Sequence, residues 1–312
     1  MALKIVPIIG NSYIISGTPR QPSVGLVVNE TLKTAILIDS GMNKSAAKDI
    51  DKEIRTAGLS LSGIINTHHH ADHCGGNNFF QNKYPDIKIY ATEYEKIFIE
   101  NHFLVPMYLS SGSQTFSFIQ DNMFLNAKPS KITDIIPYQD DYILELSGIQ
   151  LTIKTLPGHS AGMIGIGTTD NVFYCADALF SETVFTHHGL LFHTNIENTL
   201  KTLDKLTSLS EQYPNIIMYH GGKADNPQEL IKINKEKIIE VKNFLLKKIS
   251  EKDKIFIDDL EAAVMNEYEK TENMSVLQLL LNKTAIMALL TDLERANLVK
   301  IQVQDNKICI SR

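Results

Sequence analysis

The sequence predicts an α/β fold in which strands and helices form separate layers. In roughly the first hundred residues, strand-like and helix-like segments alternate, and polar side chains follow several of the strands. This alternation is typical of layered α/β domains, whose binding groups lie beyond strand ends. The chain changes character after residue 225, where helical segments dominate and predict a second, smaller unit.

The composition of the 312-residue chain is that of an ordinary globular protein, with 43% hydrophobic and 21% charged residues. Such a chain can form one large domain, or a large domain with a small one. The formal net charge of −6 provides no basic surface for nucleic acid or an anionic membrane. We therefore expect a small-molecule substrate and disfavour nucleic acid and membrane as partners.

The three cysteines, Cys74, Cys175 and Cys309, are widely separated and odd in number. Free thiols in a reducing cytoplasm explain them more simply than a disulfide framework. The N-terminal segment is strand-like and lacks the apolar core of a secretory signal. The chain has no run of about 18 apolar residues, so we expect no transmembrane helix. These features predict a cytoplasmic protein.

Three strands are predicted before residue 40, over 4–15, 23–28 and 34–39. Asp39 ends the third strand, where a buried carboxylate can hydrogen-bond to a metal-binding histidine. A turn-capping role for Asp39 is the alternative. An amphipathic helix is predicted over 44–57, with Gly58 as its stop signal.

The most informative stretch, Thr67-His68-His69-His70-Ala71-Asp72-His73, follows a β-branched segment that is predicted to be a strand. A helix over 71–80 is predicted next, with Asp72 in its first turn. A strand end that breaks into a helix holds side chains in rigid positions. Two imidazoles would suit one metal ion, and the carboxylate with a further imidazole would suit a second ion beside it.

Residues 92–137 interrupt the alternation, after a strand predicted over 86–91, and are interpreted as an insertion of helices and loops. The insertion begins with a predicted helix over 92–103. Its many Phe, Met, Tyr and Leu residues could form a lid or substrate wall. A dimer contact or ordinary packing is the equal alternative. His102, which lies here alone, is expected to be a packed or surface histidine.

Two hairpins are predicted over 141–156 and 163–175, turning at Ser147-Gly148 and Thr169-Asp170. His159 and Asp177 follow strand ends of these hairpins, and His220 follows a strand predicted over 215–219. A helix is predicted over 196–213. The preceding segment, 180–193, is predicted to be a loop and contains His187, His188 and His193.

A connecting helix is predicted over 226–250, and a winged-helix-like unit over 251–312. This interpretation depends on helices predicted at 260–268, 276–281 and 285–296, followed by a two-stranded ribbon that turns at Asp305-Asn306. The unit carries 11 acidic and 8 basic residues, which is a poor match to phosphate. Dimerisation, including a possible homodimer, or packing over the site is preferred to DNA binding.

Seven side chains that follow strand ends predict two divalent metal sites. One ion is assigned to His68, His70 and His159. The other ion is assigned to Asp72, His73 and His220. Asp177 would bridge the ions across roughly 3.5–4 Å, and a bridging water would ionise near neutral pH and act as the nucleophile. Zinc is the default metal, with iron and manganese as alternatives.

Four motifs resemble, in their order along the chain, the metal motifs of the metallo-beta-lactamase superfamily. They are His68-x-His70-x-Asp72-His73, the segments at His159 and Asp177, and His220-Gly221. The resemblance covers roughly residues 3–225. It implies an αββα sandwich of two mixed sheets flanked by helices, with the site at one edge. Asp39 falls at that family's strand-end aspartate, and such families often carry a winged-helix tail.

The predicted ligands are only His and Asp, because Cys74 follows His73 without taking a ligand position. The chain therefore resembles bridging-carboxylate hydrolases, such as glyoxalase II-like thioesterases, lactonases and phosphodiesterases. The pattern from Thr67 to Gly76 is close to that of glyoxalase II, whereas the insertion over 92–137 is not typical of that enzyme. Cys74 itself is expected to be a small buried residue.

The predicted function is a dinuclear metal-dependent hydrolase in which a metal-bridging hydroxide attacks a thioester, lactone or related acyl ester. Asp72 is expected to relay a proton to the leaving group while it binds metal. Substrate contacts are assigned to His187, His188, His193 and Lys223. The alternatives are a phosphodiesterase or ribonuclease of the same fold, and a regulatory or binding protein that retains the fold.

Overall fold

The computed structural model describes residues 3–17, 22–112, 116–120, 122, 125–269 and 274–312. Two mixed sheets pack against each other, helices flank both of them, and a smaller antiparallel sheet forms at the end of the chain. This is the αββα arrangement that the resemblance implies.

The first sheet contains seven strands in chain order. They are β1 Lys4–Ile9, β2 Ser12–Ser16, β3 Val24–Asn29, β4 Thr34–Ile38, β5 Ser60–Ile65, β6 Lys88–Thr92 and β7 Asp134–Ile136. Pairing is antiparallel from β1 to β4 and parallel from β4 to β7. The single strand predicted over 4–15 is wrong, because the chain turns at Gly10, which has φ +53°.

The second sheet follows the order β13-β12-β11-β10-β9-β8. Its strands are β8 Tyr142–Leu146, β9 Ile149–Thr155, β10 Ile164–Thr168, β11 Val172–Ala176, β12 Asn215–Met218 and β13 Gly222–Lys223. Both predicted hairpins are confirmed, since β8 pairs with β9 and β10 with β11, each antiparallel. β12 pairs with β11 in parallel, so Asp177 and His220 follow strand ends at the same edge.

The alternation of side chains along the central strands builds two cores. In β4, Ile36 and Ile38 point toward the second sheet, where they join the core between the two sheets. Leu37 points the other way and packs with Ile50 and Ile54. The buried strands are therefore apolar on both faces, and polar side chains concentrate beyond their ends.

The described residues before the C-terminal unit form α1 Lys44–Thr56, α2 Ala71–Cys74, α3 Asn77–Lys83, α4 Glu93–Glu100, α5 Leu104–Leu109, α6 Ser117–Gln120, α7 Glu182–His187, α8 Ile196–Gln212 and α9 Pro227–Ser250. The helices predicted over 44–57, 92–103, 196–213 and 226–250 are confirmed as α1, α4, α8 and α9. α7 lies within the segment 180–193 that was predicted to be a loop, which corrects that prediction.

The helix predicted over 71–80 is two helices, because the backbone at Gly75 and Gly76 packs against the segment 40–42. The Gly76 amide donates to the Gly41 carbonyl, 2.8 Å away, instead of continuing the helix. A Cβ on Gly75 would lie 1.9 Å from the Met42 carbonyl oxygen. Only glycine permits this approach, and it fixes the position of α2.

In its described residues, 251–269 and 274–312, the C-terminal unit contains two helices and a three-stranded sheet. Its elements are β14 Ile255–Phe256, α10 Ile257–Tyr268, α11 Val276–Arg295, β15 Lys300–Gln304 and β16 Lys307–Ser311. The predicted ribbon is confirmed, with Asp305 and Asn306 at positive φ in its turn, and β14 adds a third strand. The winged-helix identity of this unit stays a prediction.

The helices predicted at 276–281 and 285–296 are one continuous helix, α11. The polar residues between them suggested a break, but the side chains of Thr284 and Lys283 are satisfied within the helix and by α10. The Thr284 hydroxyl donates to the Leu280 carbonyl at 3.0 Å, and Lys283 pairs with Glu261 at 2.9 Å. Polar residues therefore interrupt the apolar pattern without interrupting the helix.

α11 packs against the second-sheet core and against the predicted insertion. Ile286 and Leu290 lie in the same core cluster as Phe173 of the second sheet, while Leu281 packs near Val105 of the predicted insertion. By length and composition alone, α11 could cross a membrane, and 39% of its most apolar window is buried. Because a buried core helix has the same composition, the absence of a membrane segment stays a prediction.

Candidate metal centre

One edge of the sandwich collects the seven side chains that were predicted as metal ligands. His68 and His70 follow β5, and α2 carries Asp72 and His73. The remaining three side chains each follow a strand of the second sheet: His159 follows β9, Asp177 follows β11 and His220 follows β12. The structure therefore brings groups from four separate segments to one place.

The first predicted set of ligands converges on its ring nitrogens. Nδ1 of His70 lies 3.0 Å from Nε2 of His68 and 2.8 Å from Nε2 of His159. All three nitrogens fall within 4.8 Å of one another. Three imidazoles that face one point form a donor set suited to a borderline divalent cation.

The second predicted set lies beside the first. Nε2 of His220 is 3.1 Å from Oδ2 of Asp72, and Nε2 of His73 is 3.6 Å from the same oxygen. These three groups also have ligand atoms within 4.8 Å of one another.

Asp177 lies between the two sets and contacts members of both. Its Oδ1 is 3.4 Å from Nε2 of His73. Its Oδ2 is 3.5 Å from Nε2 of His159 and 3.5 Å from Nε2 of His220. The carboxylate therefore lies within reach of both sets, as a bridging ligand must.

Asp39 and Thr67 orient two of the histidines. Oδ2 of Asp39 accepts hydrogen bonds from His73 Nδ1 at 2.7 Å and from the Thr67 hydroxyl at 2.8 Å. The Thr67 hydroxyl in turn lies 3.1 Å from Nδ1 of His68. Because the Thr67 proton is given to Asp39, Nδ1 of His68 is the donor in that contact. Both rings are thereby held with Nε2 toward the cluster, which is the usual arrangement for metal-binding histidines.

His159 and His73 receive further support from the second half of the chain. Nδ1 of His159 donates to the Phe192 carbonyl at 2.8 Å, which leaves Nε2 free to face Asp177. The Tyr219 ring packs on His73 with centroids 3.7 Å apart, and its hydroxyl donates to the Asp72 carbonyl.

A buried glutamate, Glu95 of α4, ties the two histidine-bearing loops together. Its Oε2 contacts Nδ1 of His69 at 2.5 Å, and its Oε1 accepts from the Ser160 hydroxyl at 2.8 Å and the Gly162 amide at 2.7 Å. Sequence analysis did not identify Glu95. The only available signal was an acidic residue in an amphipathic helix, which usually indicates a solvated position.

The electrostatics of the cluster follow from burial and from the close approach of unlike charges. Burial lowers the pKa of His68, His70 and His159, since each would lose hydration as a cation. Burial opposes ionisation of Asp177, but His220 and His73 outweigh it and hold the pKa well below its usual range. Burial thus favours the neutral, metal-binding form of His68, His70 and His159. The neighbouring carboxylates outweigh burial at His73 and His220 and raise the pKa of both, so a metal ion would have to displace their protons.

Two buried polar atoms in the cluster lack, within the described chain, the hydrogen-bond partners that they need, as metal ligands do before an ion binds. Nε2 of His73 and Oδ1 of Asp177 are buried and have no hydrogen-bond partner among the described residues. Unpaired buried polar atoms are costly. Their orientation toward each other and the chemistry of their neighbours fit divalent ions with nitrogen and oxygen ligands, without identifying the metal.

A cavity of about 360 Å³ adjoins the cluster and contains some of the predicted substrate contacts. His187 and His188 line it, together with His159, Asp177 and His220. His193 does not line it. His193 is buried, with neither ring nitrogen hydrogen-bonded within the described part of the chain, and burial lowers its pKa to about 3. Lys223 is exposed on β13 outside the cavity.

Two other residues occupy the structural roles predicted for them. His102 is fully buried, accepts from the Ala127 amide and contacts the His69 carbonyl at 2.9 Å, so it is a packed histidine. Burial lowers its pKa to about 4. Cys74, the last residue of α2, is buried in the core, and its thiol donates to the His69 carbonyl at 3.2 Å.

Comparison with known sequences identifies a family match over much of the chain. The model of the metallo-beta-lactamase superfamily matches residues 17–213, more than half of the chain. A hydroxyacylglutathione hydrolase from Vibrio cholerae is 24% identical over 212 residues, covering 68% of this chain and 63% of that relative. Another from a Synechocystis species is 25% identical, covering 68% and 65% respectively. The match thus spans less than two thirds of these relatives' length.

Comparison with solved structures extends the likeness in fold to the whole chain. A metallo-beta-lactamase family protein from Thermus thermophilus has a TM-score of 0.70 at 18% identity, covering 99% of this chain and 98% of that one. A beta-lactamase domain protein from Burkholderia ambifaria has a TM-score of 0.72 at 14% identity, covering 99% and 90%. At such identities the likeness concerns the fold alone, and it includes the C-terminal helices.

Proposed function

Because this chain belongs to the metallo-beta-lactamase superfamily, we propose that it is a hydrolase that uses two divalent metal ions to cleave a thioester, lactone or related acyl ester. The observation that carries the proposal is the convergence of six histidine and aspartate groups around Asp177. The name of the distant relatives, hydroxyacylglutathione hydrolase, refers to an acyl compound and supports this substrate class.

We assign the proposed ligands to two ions, and Asp177 with His68 and His73 forms a third convergent group where the two sets meet. His68, His70 and His159 would hold one ion. Asp72, His73 and His220 would hold the other, with Asp177 between them. Zinc suits a set of imidazoles and carboxylates, and iron or manganese would also be accepted. When bound, such ions supply an ionised water at neutral pH and polarise the carbonyl oxygen of the substrate.

The two carboxylates of the cluster are suited to different tasks. The side chain of Asp177 is 6% exposed, whereas that of Asp72 is 20% exposed. Asp177 is therefore enclosed by ligands and suited to hold charge in place. Asp72 is closer to solvent, and its carboxylate could accept a proton from the attacking water and pass it to a departing thiolate or alkoxide, while His220 keeps it oriented.

The test combines metal analysis with a substrate panel. Purified protein loaded with zinc, iron or manganese is assayed against a thioester, a lactone and a phosphodiester, beside the variant His70→Ala. We expect about two ions per chain, turnover of an acyl substrate, and loss of both metal and turnover in the variant. Asp204→Asn, at a position 73% exposed on the surface, is the control and should retain both.

Each alternative function predicts a different result of this test. Turnover of the phosphodiester alone would indicate a phosphodiesterase or ribonuclease of the same fold. Failure to bind metal would indicate a regulatory or binding protein. Undiminished turnover in His70→Ala with the fold intact would contradict the dinuclear proposal.

We also propose a cytoplasmic location. All three cysteines are described, buried and free, and burial raises the pKa of the Cys74 and Cys175 thiols. Cys74 and Cys175 are therefore protonated packing groups, and three buried free thiols are typical of proteins of reducing compartments. Fractionation of cells that express the protein would check this location.

A further inference from the structure

The cavity beside the metal centre is built by segments that are distant in sequence. His159, Asp177 and His220 form its polar part. The opposite walls come from α7 with the loop 188–193 and from α11 of the C-terminal unit. A substrate whose carbonyl is held at the metal centre would place its remaining atoms against these walls. The C-terminal unit is therefore part of the proposed active site.

These walls are predominantly apolar. Val184, Leu190 and Leu191 line one side, and Leu281 and Ala285 of α11 line the other. Phe180 and Phe192 lie where the cavity meets the metal centre and pack edge-on against His159. A site of this size and composition binds a mostly apolar group, with a few polar groups to set its orientation.

The charges around the cavity disfavour an anionic ligand. No lysine or arginine lines it in the described ranges, and Glu269 contributes a carboxylate. His187 and His188 are the basic groups on its wall besides the predicted ligands. A charged carrier with several carboxylates, such as glutathione, would find no lysine or arginine among the described residues of these walls.

The loop 188–193, which forms one wall of the cavity, is held against the C-terminal unit by direct contacts. The Leu190 amide donates to Oε1 of Glu269 at 3.1 Å. A Cβ on Gly189 would lie 1.9 Å from the Tyr268 carbonyl oxygen, so the loop backbone contacts α10 directly. The other end of the loop supplies the Phe192 carbonyl that orients His159.

We propose that this cavity binds the acyl part of the substrate and that this part is an uncharged, apolar chain of several carbons. The inference rests on the proposed hydrolase function, because it places the acyl carbonyl at the metal centre. Leu281 and Ala285 then determine which chain lengths fit, since both face the cavity from α11.

A chain-length series tests the proposal. The metal-loaded protein is assayed with N-acetylcysteamine thioesters of two, four, six, eight and ten carbons, and with S-lactoylglutathione. We expect kcat/KM to rise by about fourfold per added methylene, the factor that corresponds to burying one CH2, until the cavity is filled. Lactoylglutathione should be a poor substrate compared with the octanoyl thioester.

Two variants change the cavity in opposite directions. Ala285→Leu should lower kcat/KM for the octanoyl thioester at least tenfold and leave the acetyl thioester within about twofold. Leu281→Ala should move the preferred length toward longer chains. Met287→Ala, at a position 37% exposed on the same helix, is the control and should keep the wild-type profile. Should Ala285→Leu fail to fold, Leu281→Ala still tests the wall.

A binding measurement separates this inference from the proposed function. Calorimetric titration with alkyl methyl ketones of five to eleven carbons requires no turnover. Affinity that rises with length, and that weakens in Ala285→Leu, would support the cavity assignment even if no ester were hydrolysed. Equal turnover of acetyl and octanoyl thioesters, or length-independent ketone binding, would overturn it while leaving a hydrolase intact.

Discussion

The metal end and the cavity end of the candidate site differ in how their side chains are held. At the metal end, His68 and His73 are fully buried, and Asp39 and Thr67 fix the direction of both rings. At the cavity end, His187 at the end of α7 and His188 directly after it are exposed. The apolar wall is completed by Leu281 and Ala285 of α11, more than 90 residues further along the chain.

This difference separates chemistry from recognition. Groups that must bind ions need positions set within a fraction of an ångström, and short strand-to-loop segments stabilised by buried hydrogen bonds provide this. Groups that select a substrate need only shape and polarity, which helices and loops can supply from any part of the chain. Changes at the metal end should therefore alter metal content and turnover together, and changes at the cavity end should alter substrate preference alone.

The largest effect is expected at Asp177. Asp177→Asn keeps the shape of the side chain but removes the charge that faces both sets of histidines. Loss of several kcal/mol of charge stabilisation corresponds to a fall in kcat on the order of a thousandfold. Steady-state kinetics with the best acyl substrate would measure it, with metal content determined on the same samples. A fall below tenfold would mean that Asp177 does not bridge.

A smaller effect is expected at Asp39, which contacts the cluster only through His73 and Thr67. Asp39→Asn should weaken metal affinity by about 10- to 100-fold, because His73 loses its anionic partner. Competition with a chelator of known affinity would measure this change, and activity should return at high metal concentration. If activity stays low when the sites are saturated, Asp39 does more than orient His73.

At the cavity end, Gly189→Ala should affect recognition. The added Cβ would collide with the Tyr268 carbonyl oxygen, so the loop must move away from α10. We expect kcat/KM for long-chain thioesters to fall about tenfold, with metal content unchanged and stability lower by about 1–3 kcal/mol. Chain-length kinetics and denaturant titration would show both. Equal losses for acetyl and octanoyl thioesters would show that the two ends are coupled through Phe192 and His159.

The smallest effect on activity is expected at Asp51, which is remote from both ends. The Asp51 side chain is 3% exposed and pairs with Arg55, Lys83 and Tyr84. Burial disfavours its charge, but hydrogen bonds from Lys83, Tyr84 and Arg55 outweigh burial and lower its pKa. Asp51→Asn should cost about 1–3 kcal/mol of stability at pH 7 and leave kcat/KM unchanged.

The pH dependence of that cost has a definite sign. Because the folded pKa of Asp51 is depressed, its contribution is fully present above the unfolded pKa of about 4. It is lost as the pH falls through the lower folded pKa. Thermal unfolding of both proteins between pH 3 and pH 7 should show the difference narrowing toward acid. A difference that is constant with pH would mean that the carboxylate is not responsible.

Much of the fold and the positions of the site groups could be predicted because their signals are local. The two hairpins have turn residues between their strands, and His68, Asp177 and His220 each follow a short apolar segment rich in β-branched or aromatic residues. The errors occurred where local signals conflict with packing. Asn282, Lys283 and Thr284 suggested a break that the partners of α11 remove, and Gly75 and Gly76 end a helix through contact with another segment.

The sequence by itself determined which chemistry the chain can support, since the types and order of seven side chains at strand ends define a metal-binding donor set. The tertiary structure alone decided what holds those side chains and what they face. Glu95 reaches Ser160 across 65 residues, and Leu190 reaches Glu269 across 79. Such contacts leave no periodic trace in the sequence, because each needs only one polar or small residue at a place that the folded backbone specifies.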